Sequence, residues 1–196
     1  MVDNLNEMWA SGARFVYTYT GRKVGLGDDT PAPSLEDIAV GLGRICRYAG
    51  GCQQFWPVLL HSFVVADMLP KPLKIYGLLH DAAEILTNDI PRPFKTEENS
   101  ATEAILFAKI LKSFNLSPMN SAQAADVKAA DNNALFGESW TIGNVGLRTF
   151  YKQRCYEAED LVRTYARRYP ALDCIDPDGI AVVEFKVRFR YYLSLV

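Results

Sequence analysis

The 196-residue chain has 49% hydrophobic and 22% charged residues, enough apolar sequence to bury the core of one domain over residues 1–196. Its 21 Lys and Arg residues against 23 Asp and Glu residues leave a net charge of -2, which disfavours a protein that mainly binds nucleic acid. The apolar segments are interrupted by charge before the roughly 18 residues that a membrane span requires, so no membrane partner is expected.

The four cysteines, at positions 46, 52, 155 and 174, show neither a Cys-x-x-Cys pair nor the dense spacing of a disulfide scaffold. They predict reduced, mostly buried thiols. The first residues, MVDNLNEMWASGAR, lack a basic stretch followed by an apolar run, so no secretory signal is expected. These two features together predict a cytoplasmic protein.

The first patterned segment is FVYTYT, whose alternating β-favouring residues predict a short N-terminal strand or hairpin before the glycine-rich loop GRKVGLGDD. The pattern then becomes helical. Ser34 and Asp37 have the spacing of a capping box, and LEDIAVGLGRI places apolar residues on one face of a helix that runs to about Cys46.

Helical patterns continue along the rest of the chain. Pro57 opens the apolar helix PVLLHSFVVADML, which Pro70 ends, and LKIYGLLHDAAEIL predicts one helix over residues 73–86. Further helices are predicted over residues 98–114, 121–136, 150–169 and 178–195. Because no strand pattern of comparable length competes, the predicted fold class is all-α, in a single domain.

The candidate functional residues of the chain lie mainly in these helices. His61 and His80 are the two histidines of the chain, and each lies in an apolar stretch where a polar ring needs a partner. Asp81 follows His80 directly, and Glu84 lies on the same face of the predicted helix as His80. Asp131 lies inside a predicted helix, where aspartate is a poor helix former. Two imidazoles with carboxylates suit manganese, cobalt, iron or zinc.

This order of residues, a histidine, an adjacent His-Asp pair and a later aspartate on helices between about residues 44 and 138, resembles the HD-domain phosphohydrolase superfamily. The resemblance implies a helical bundle of HD type. It also implies a divalent metal ion, namely cobalt, manganese or zinc, with magnesium or iron as alternatives. The implied metal ligands are His61, His80, Asp81 and Asp131.

Within that superfamily, HDAAEILTNDIPRPFK is similar to the bacterial 5'-deoxynucleotidases and, more closely, to small phage enzymes that hydrolyse dATP. This similarity implies catalytic acid and base roles for Glu84 and Asp89, without deciding which residue has which role. The implied substrate-binding residues are Arg47, Tyr48, Pro93, Lys95 and Lys128. The chain departs from these relatives at Cys52, where many have a histidine, and at Tyr48, where tryptophan is frequent.

The expected function is therefore a metal-dependent phosphohydrolase that acts on free deoxynucleotides, above all dATP. One alternative is a 5'-deoxynucleotidase acting on deoxynucleoside monophosphates, or a related phosphatase of nucleoside biosynthesis. Another, from a different class, is a non-catalytic nucleotide-sensing module. The resemblance also implies a homo-oligomer, a dimer or a hexamer, located in the host cytoplasm if a phage encodes it.

Each of these residues also has a purely structural interpretation. His61 could be a hydrogen-bonded core histidine, and Asp131 could pair with Lys128 three residues earlier on one helix. Asp89 could cap the turn before the first proline of the loop, and Lys95 could be a solvated surface lysine. The case for a site therefore rests on the set of residues taken together.

Overall fold

The computed structural model describes residues 15–27 and 29–196, and helices occupy most of this part of the chain. The helices are α1 (Leu35–Arg44), α2 (Val58–Asp67), α3 (Lys74–Leu79), α4 (Glu84–Thr87), α5 (Glu97–Ser113), α6 (Ser121–Thr141), α7 (Val145–Phe150), α8 (Tyr156–Arg168), α9 (Ala171–Ile175) and α10 (Ile180–Leu193). Short 3-10 helices cover Arg47–Gly50, Lys71–Leu73 and Arg92–Phe94. The predicted all-α class is confirmed.

A two-stranded antiparallel hairpin precedes the helices, as predicted, with β1 (Phe15–Tyr17) paired to β2 (Lys23–Gly25). Gly21 in the connecting turn has a φ of 77°, a left-handed conformation that glycine adopts without steric cost. The Lys109 ammonium on α5 donates to the Gly25 carbonyl at 2.9 Å and so fastens the end of β2 to the helical part. One aspartate of the predicted glycine-rich loop lies outside the described residues.

Helix α2 lies at the centre of the hydrophobic core. All residues from Val58 to Ala66 are buried, because α1, α3, α6, α8 and α10 pack around this helix. A helix that is covered on every side carries apolar residues all around its circumference, which explains the sequence VLLHSFVVA. His61 therefore lies inside the core and must find its polar partners there.

The predicted helix over residues 73–86 is interrupted between α3 and α4. His80 and Asp81 lie in the interruption, where hydrogen bonds of the shorter i to i+3 kind appear, such as that from the Glu84 amide to the Asp81 carbonyl at 2.9 Å. The His80 ring bonds to the Gly77 carbonyl at 2.8 Å. That carbonyl is the acceptor that the Asp81 amide would use in a continuing α-helix.

Two other helix boundaries differ from the prediction. The helix predicted over residues 150–169 begins only at Tyr156, as α8, and residues 151–155 are not helical. In this linking segment the carbonyls of Tyr151 and Gln153 accept hydrogen bonds from the Trp140 indole nitrogen at 3.1 and 2.8 Å. The helix predicted to end near residue 136 continues to Thr141. The other predicted helices begin and end within two residues of the observed ones.

The last part of α6 makes a close contact with α8 at Gly137. A Cβ atom at Gly137 would lie 2.6 Å from the Ala158 side chain and 2.8 Å from the Glu159 backbone nitrogen on α8. Glycine at this position therefore allows α6 and α8 to pack closely and does not end the helix. The extra turn of α6 carries Glu138, which belongs to the site described below.

Two predictions from composition can also be compared with the structure. In the described part of the chain, no helix is both long enough and apolar enough to cross a membrane. All four cysteines are free thiols, as predicted. The expectation that they are mostly buried is wrong, because Cys174 is buried while the other three are half-buried.

The start of α1 is held by the predicted capping box, which has an additional partner. Asp37 is buried and accepts the Ser34 amide at 2.9 Å and the Thr20 amide at 2.8 Å, while the Ser34 hydroxyl accepts the Asp37 amide at 3.1 Å. Burial opposes ionisation, but these hydrogen bonds outweigh it and lower the pKa of the Asp37 carboxyl to about 2. This carboxylate ties the hairpin segment to α1.

We expect Asp37→Ala to lower the free energy of unfolding by about 2 kcal/mol, because it removes a cap and a buried charged acceptor. The matched control is Asn99→Ala, at the same capping-box position of α5, which is more exposed and should cost about 1 kcal/mol or less. Urea denaturation measures both. The Asp37 effect should be complete above the ordinary pKa of 3.8 and should shrink as the pH falls towards 2. Equal losses in the two variants would contradict this interpretation.

Candidate metal centre

The two histidines and the aspartate of α6 meet at one point. The Nε2 atoms of His61 and His80 are 3.2 Å apart, and the Asp131 Oδ1 atom lies 3.2 Å from the first and 4.0 Å from the second. The Asp81 Oδ2 atom lies 3.0 Å from His80 Nε2 and 3.6 Å from His61 Nε2. The structure thus brings together all four residues predicted as metal ligands.

The hydrogen bonds of the two rings indicate how their nitrogen atoms are used. His80 Nδ1 must donate to the Gly77 carbonyl, which is only an acceptor, and His61 Nδ1 faces the Glu138 carboxylate at 2.7 Å. In the neutral rings both Nε2 atoms then carry lone pairs, which point at each other. Two lone pairs at 3.2 Å repel unless a cation or a proton lies between them. The donor set therefore fits a metal ion, and His61, His80 and Asp131 could hold one.

The pKa values show how neighbouring charges stabilise the cluster when His61 carries a proton in place of a metal ion. Burial and the charge of Arg47 disfavour a charged His61, but Glu138 and Asp131 outweigh them and raise its pKa to about 9. Burial likewise opposes ionisation of Asp81, while His80 and His61 lower the pKa of this carboxyl to about 2. A metal ion would replace the proton on His61, because both need the same lone pair.

Glu138 is a central residue of this site that the sequence analysis missed. Its side chain is fully buried, and it accepts hydrogen bonds from Arg47 Nε at 3.0 Å, the Tyr48 hydroxyl at 3.0 Å and Trp56 Nε1 at 2.9 Å. It also bonds to His61 Nδ1. Glu138 lies seven residues after Asp131, two turns further along the same face of α6, and this spacing is the signal that could have identified it.

A cavity of about 660 Å³ opens beside the cluster. A volume of this order suits a small-molecule ligand. His61 and His80 contact two carboxylates of its wall, Asp81 and Asp131. All the other predicted site residues also line the cavity, namely Arg47, Tyr48, Glu84, Asp89, Pro93, Lys95 and Lys128. Lining residues that were not predicted are Ile90, Pro91, Arg92, Ser100, Glu103, Leu135, Leu147, Phe150 and Tyr151.

The three cationic residues among the predicted substrate-binding residues are each paired with an acid. Lys128 Nζ lies 2.5 Å from Asp131 Oδ2, and Lys95 Nζ lies 2.5 Å from Glu103 Oε2. Arg47 binds Glu138, as described above. These three positive charges are therefore held in place by carboxylates, and Glu103 is an acid that the sequence analysis did not consider.

Glu84 and Asp89 face the same cavity in different ways. Glu84 is 5% exposed, and its Oε2 atom has no hydrogen-bond partner among the described residues. Burial, together with the charges of Asp81 and Asp89, raises the pKa of the Glu84 carboxyl to about 10. Asp89 instead accepts the backbone amide of Tyr48 at 3.3 Å. Glu84 is thus a buried carboxyl group of the cavity wall with one oxygen that has no hydrogen-bond partner among the described residues.

The backbone around Tyr48 is strained. Tyr48 and Ala49 have φ values of 57° and 51°, in the left-handed region that non-glycine residues seldom adopt. This conformation lets the Tyr48 amide reach Asp89 while its hydroxyl bonds to Glu138 at 3.0 Å. Strain of this kind persists where the surrounding contacts enforce it, which is common in functional sites.

The fold and the site define an all-α protein with a His/His/Asp group, of which His61 is buried and the other two residues are half-buried, that could hold a metal ion beside a polar cavity. No family model matches the chain. The chain is 31% identical to YfdR of Escherichia coli strain K12, a protein described as uncharacterized, over 136 residues, which cover 66% of this chain and 72% of YfdR. The chain belongs to the family of YfdR.

We expect Glu138→Gln to weaken Mn²⁺ binding by about 10- to 100-fold, because an amide cannot accept hydrogen bonds with both of its terminal atoms and so holds His61 less firmly. Calorimetric titration of Mn²⁺ into metal-free protein measures the affinity. The control is Glu159→Gln on α8, where an equally buried carboxylate binds Arg154 at 2.8 Å and Arg163 at 2.9 Å. It should cost stability but leave the Mn²⁺ affinity unchanged. Absence of binding by the unmodified protein, or equal losses in both variants, would refute the assignment.

Proposed function

We propose that this protein is a metal-dependent phosphohydrolase of the HD-domain type that acts on free deoxynucleotides, with dATP as the first candidate and dADP and dAMP as further ones. The observation that carries the proposal is the convergence of three kinds of residue on one cavity. These are the metal-binding cluster, the carboxyl groups of Glu84 and Asp89, and the cationic side chains. A module that only binds nucleotides has no need of a buried carboxyl group such as Glu84.

The metal ion would be held by His61, His80, Asp81 and Asp131. Imidazole and carboxylate ligands together favour manganese, cobalt, iron or zinc, while magnesium prefers an all-oxygen set. A bound divalent cation would act as a Lewis acid toward a phosphoryl oxygen and would lower the pKa of a water molecule.

The other residues of the cavity supply binding and proton transfer. Arg47, Lys95 and Lys128 would bind phosphate oxygens, with the planar guanidinium also fixing their orientation. Glu84 would give or take the proton of the reaction, because it lines the cavity and one of its oxygens has no hydrogen-bond partner among the described residues. Asp89, held by the Tyr48 amide, is the second group that can transfer a proton.

The 5'-deoxynucleotidase alternative is favoured by a specific observation. Lys95 is paired with Glu103, and Arg47 with Glu138, so both cations are partly neutralised before any substrate binds. A monophosphate carries less negative charge than a triphosphate and needs fewer unpaired cations. The pairing of Lys95 therefore favours deoxynucleoside monophosphates as a second class of substrate.

Product chromatography tests the function and separates the alternatives. The purified protein is incubated with Mn²⁺ or Co²⁺ and, separately, with each dNTP, each dNMP and ATP, with a chelator control for every reaction. Deoxyadenosine and triphosphate from dATP would support the triphosphohydrolase, whereas phosphate released from monophosphates alone would support the nucleotidase. Nucleotide binding without any cleavage would contradict the proposal and favour the sensing module.

We expect Glu84→Gln to lower kcat by about 10²- to 10⁴-fold, because the amide cannot transfer the proton. Substrate KM and Mn²⁺ stoichiometry should stay close to those of the unmodified protein, since the change preserves the shape of the side chain. Steady-state kinetics and metal titration measure the two effects. Glu157→Gln, on the exposed surface of α8, serves as the control and should have no effect. A kcat within tenfold of the unmodified protein would exclude Glu84 from the proton transfer.

A further inference from the structure

One wall of the cavity is apolar and contains none of the predicted site residues. Leu147, Phe150 and Tyr151, from α7 and the residue after it, line the cavity together with Leu135 of α6. We call Leu147, Phe150 and Tyr151 the aromatic wall. Phe150 is 72% exposed, and its ring lies 4.9 Å from that of Tyr151 in an edge-to-face arrangement. A large exposed aromatic side chain beside a polar cavity indicates a binding surface.

The backbone that carries the aromatic wall is fixed at both ends. At its start, Asn144 caps α7 by accepting the Leu147 amide at 3.0 Å and donates to the Gly51 carbonyl at 2.9 Å. At its end, the Trp140 indole nitrogen donates to the Tyr151 carbonyl at 3.1 Å. The exposed ring of Phe150 therefore lies on an ordered segment. Little conformational entropy of the protein is lost when a ligand stacks on this ring.

The wall and the metal-binding cluster lie on one continuous surface. Leu135 follows Asp131 by four residues, one turn of α6, and both line the cavity. Lys128 and Asp131 make this part of the lining charged, while the aromatic wall is apolar apart from the Tyr151 hydroxyl. A ligand that spans the cavity would thus have a charged end and a flat apolar end.

We propose that the aromatic wall binds the base of the nucleotide by stacking, so that the substrate must carry an aromatic heterocycle and not only a phosphorylated sugar. This inference rests on the proposed function and adds residues that the predicted substrate-binding set, which includes Tyr48 and Pro93, does not contain. Leu147 and Phe150 have no hydrogen-bonding group in their side chains, and Tyr151 has one. The wall therefore selects for a ring system of large area and discriminates little by the polar edge of the base.

Phe150→Ala tests the proposal in the Mn²⁺-loaded protein. We expect the KM for dATP or dAMP, whichever is cleaved, to rise about tenfold with kcat nearly unchanged, because stacking contributes equally to substrate and transition state. Purine nucleotides should be preferred over pyrimidine nucleotides. Hydrolysis of 2-deoxyribose 5-phosphate, which has no base, should be slow and unaffected by the variant.

The matched control is Val145→Ala. Val145 is 78% exposed on the same helix and is not among the described lining residues, so this change should leave all kinetic constants unaltered. A second readout is saturation-transfer NMR of dAMP on the diamagnetic Zn²⁺-loaded protein, with Glu84→Gln to suppress turnover. The base protons should receive the strongest saturation, and adding Phe150→Ala should remove it.

The outcomes separate this inference from the proposed function. If Phe150→Ala leaves the nucleotide KM unchanged, or 2-deoxyribose 5-phosphate is cleaved as well as dAMP, the aromatic wall does not bind the base, even though the hydrolase activity stands. If no substrate is cleaved but the dAMP base protons are saturated and lose this with Phe150→Ala, the stacking subsite stands and the hydrolase proposal fails. Weak, uniform saturation of base and sugar protons would overturn the stacking proposal.

Discussion

The buried carboxylate of Glu138 is the group around which the site is assembled. A carboxylate without partners in the core would cost several kcal/mol, so the surrounding donors must be in place when the protein folds. Arg47, Trp56 and His61 lie in one stretch of the chain, from the first 3-10 helix to α2, and all three bind the Glu138 side chain of the distant helix α6. The same contacts that satisfy the charge also orient the His61 ring, so the stability of the core and the geometry of the candidate metal centre depend on each other.

The segment between α3 and α4 is the second local constraint. His80 uses its Nδ1 atom to bind the Gly77 carbonyl, which leaves its Nε2 atom facing His61, and this bond coincides with the end of α3. The loss of regular α-helix at this point is therefore linked to the orientation of the ring. A helix continuing over residues 73–86 would have satisfied local propensity better but would have competed for the same carbonyl.

Much of the site was accessible to sequence reasoning. Histidines are expensive to bury, and aspartate is unfavourable inside a helix, so His61, His80 and Asp131 stood out against their apolar surroundings. Glu138 did not stand out, because glutamate is an ordinary helix residue and the predicted helix ended near residue 136, before it. Glu103 was equally hidden, since its importance comes from its pairing with Lys95 across two separate segments.

The sequence by itself determined the all-α class, the N-terminal hairpin, most helix positions and the residue types that meet at the candidate metal centre, because these follow from periodicity, capping and the cost of burying polar groups. Only the tertiary structure decided that Glu138 neutralises Arg47 and that α7 lines one side of the cavity with Phe150. These features arise from contacts between residues far apart in the chain. Local conformational preferences do not specify such contacts, because the packing of the helices determines them.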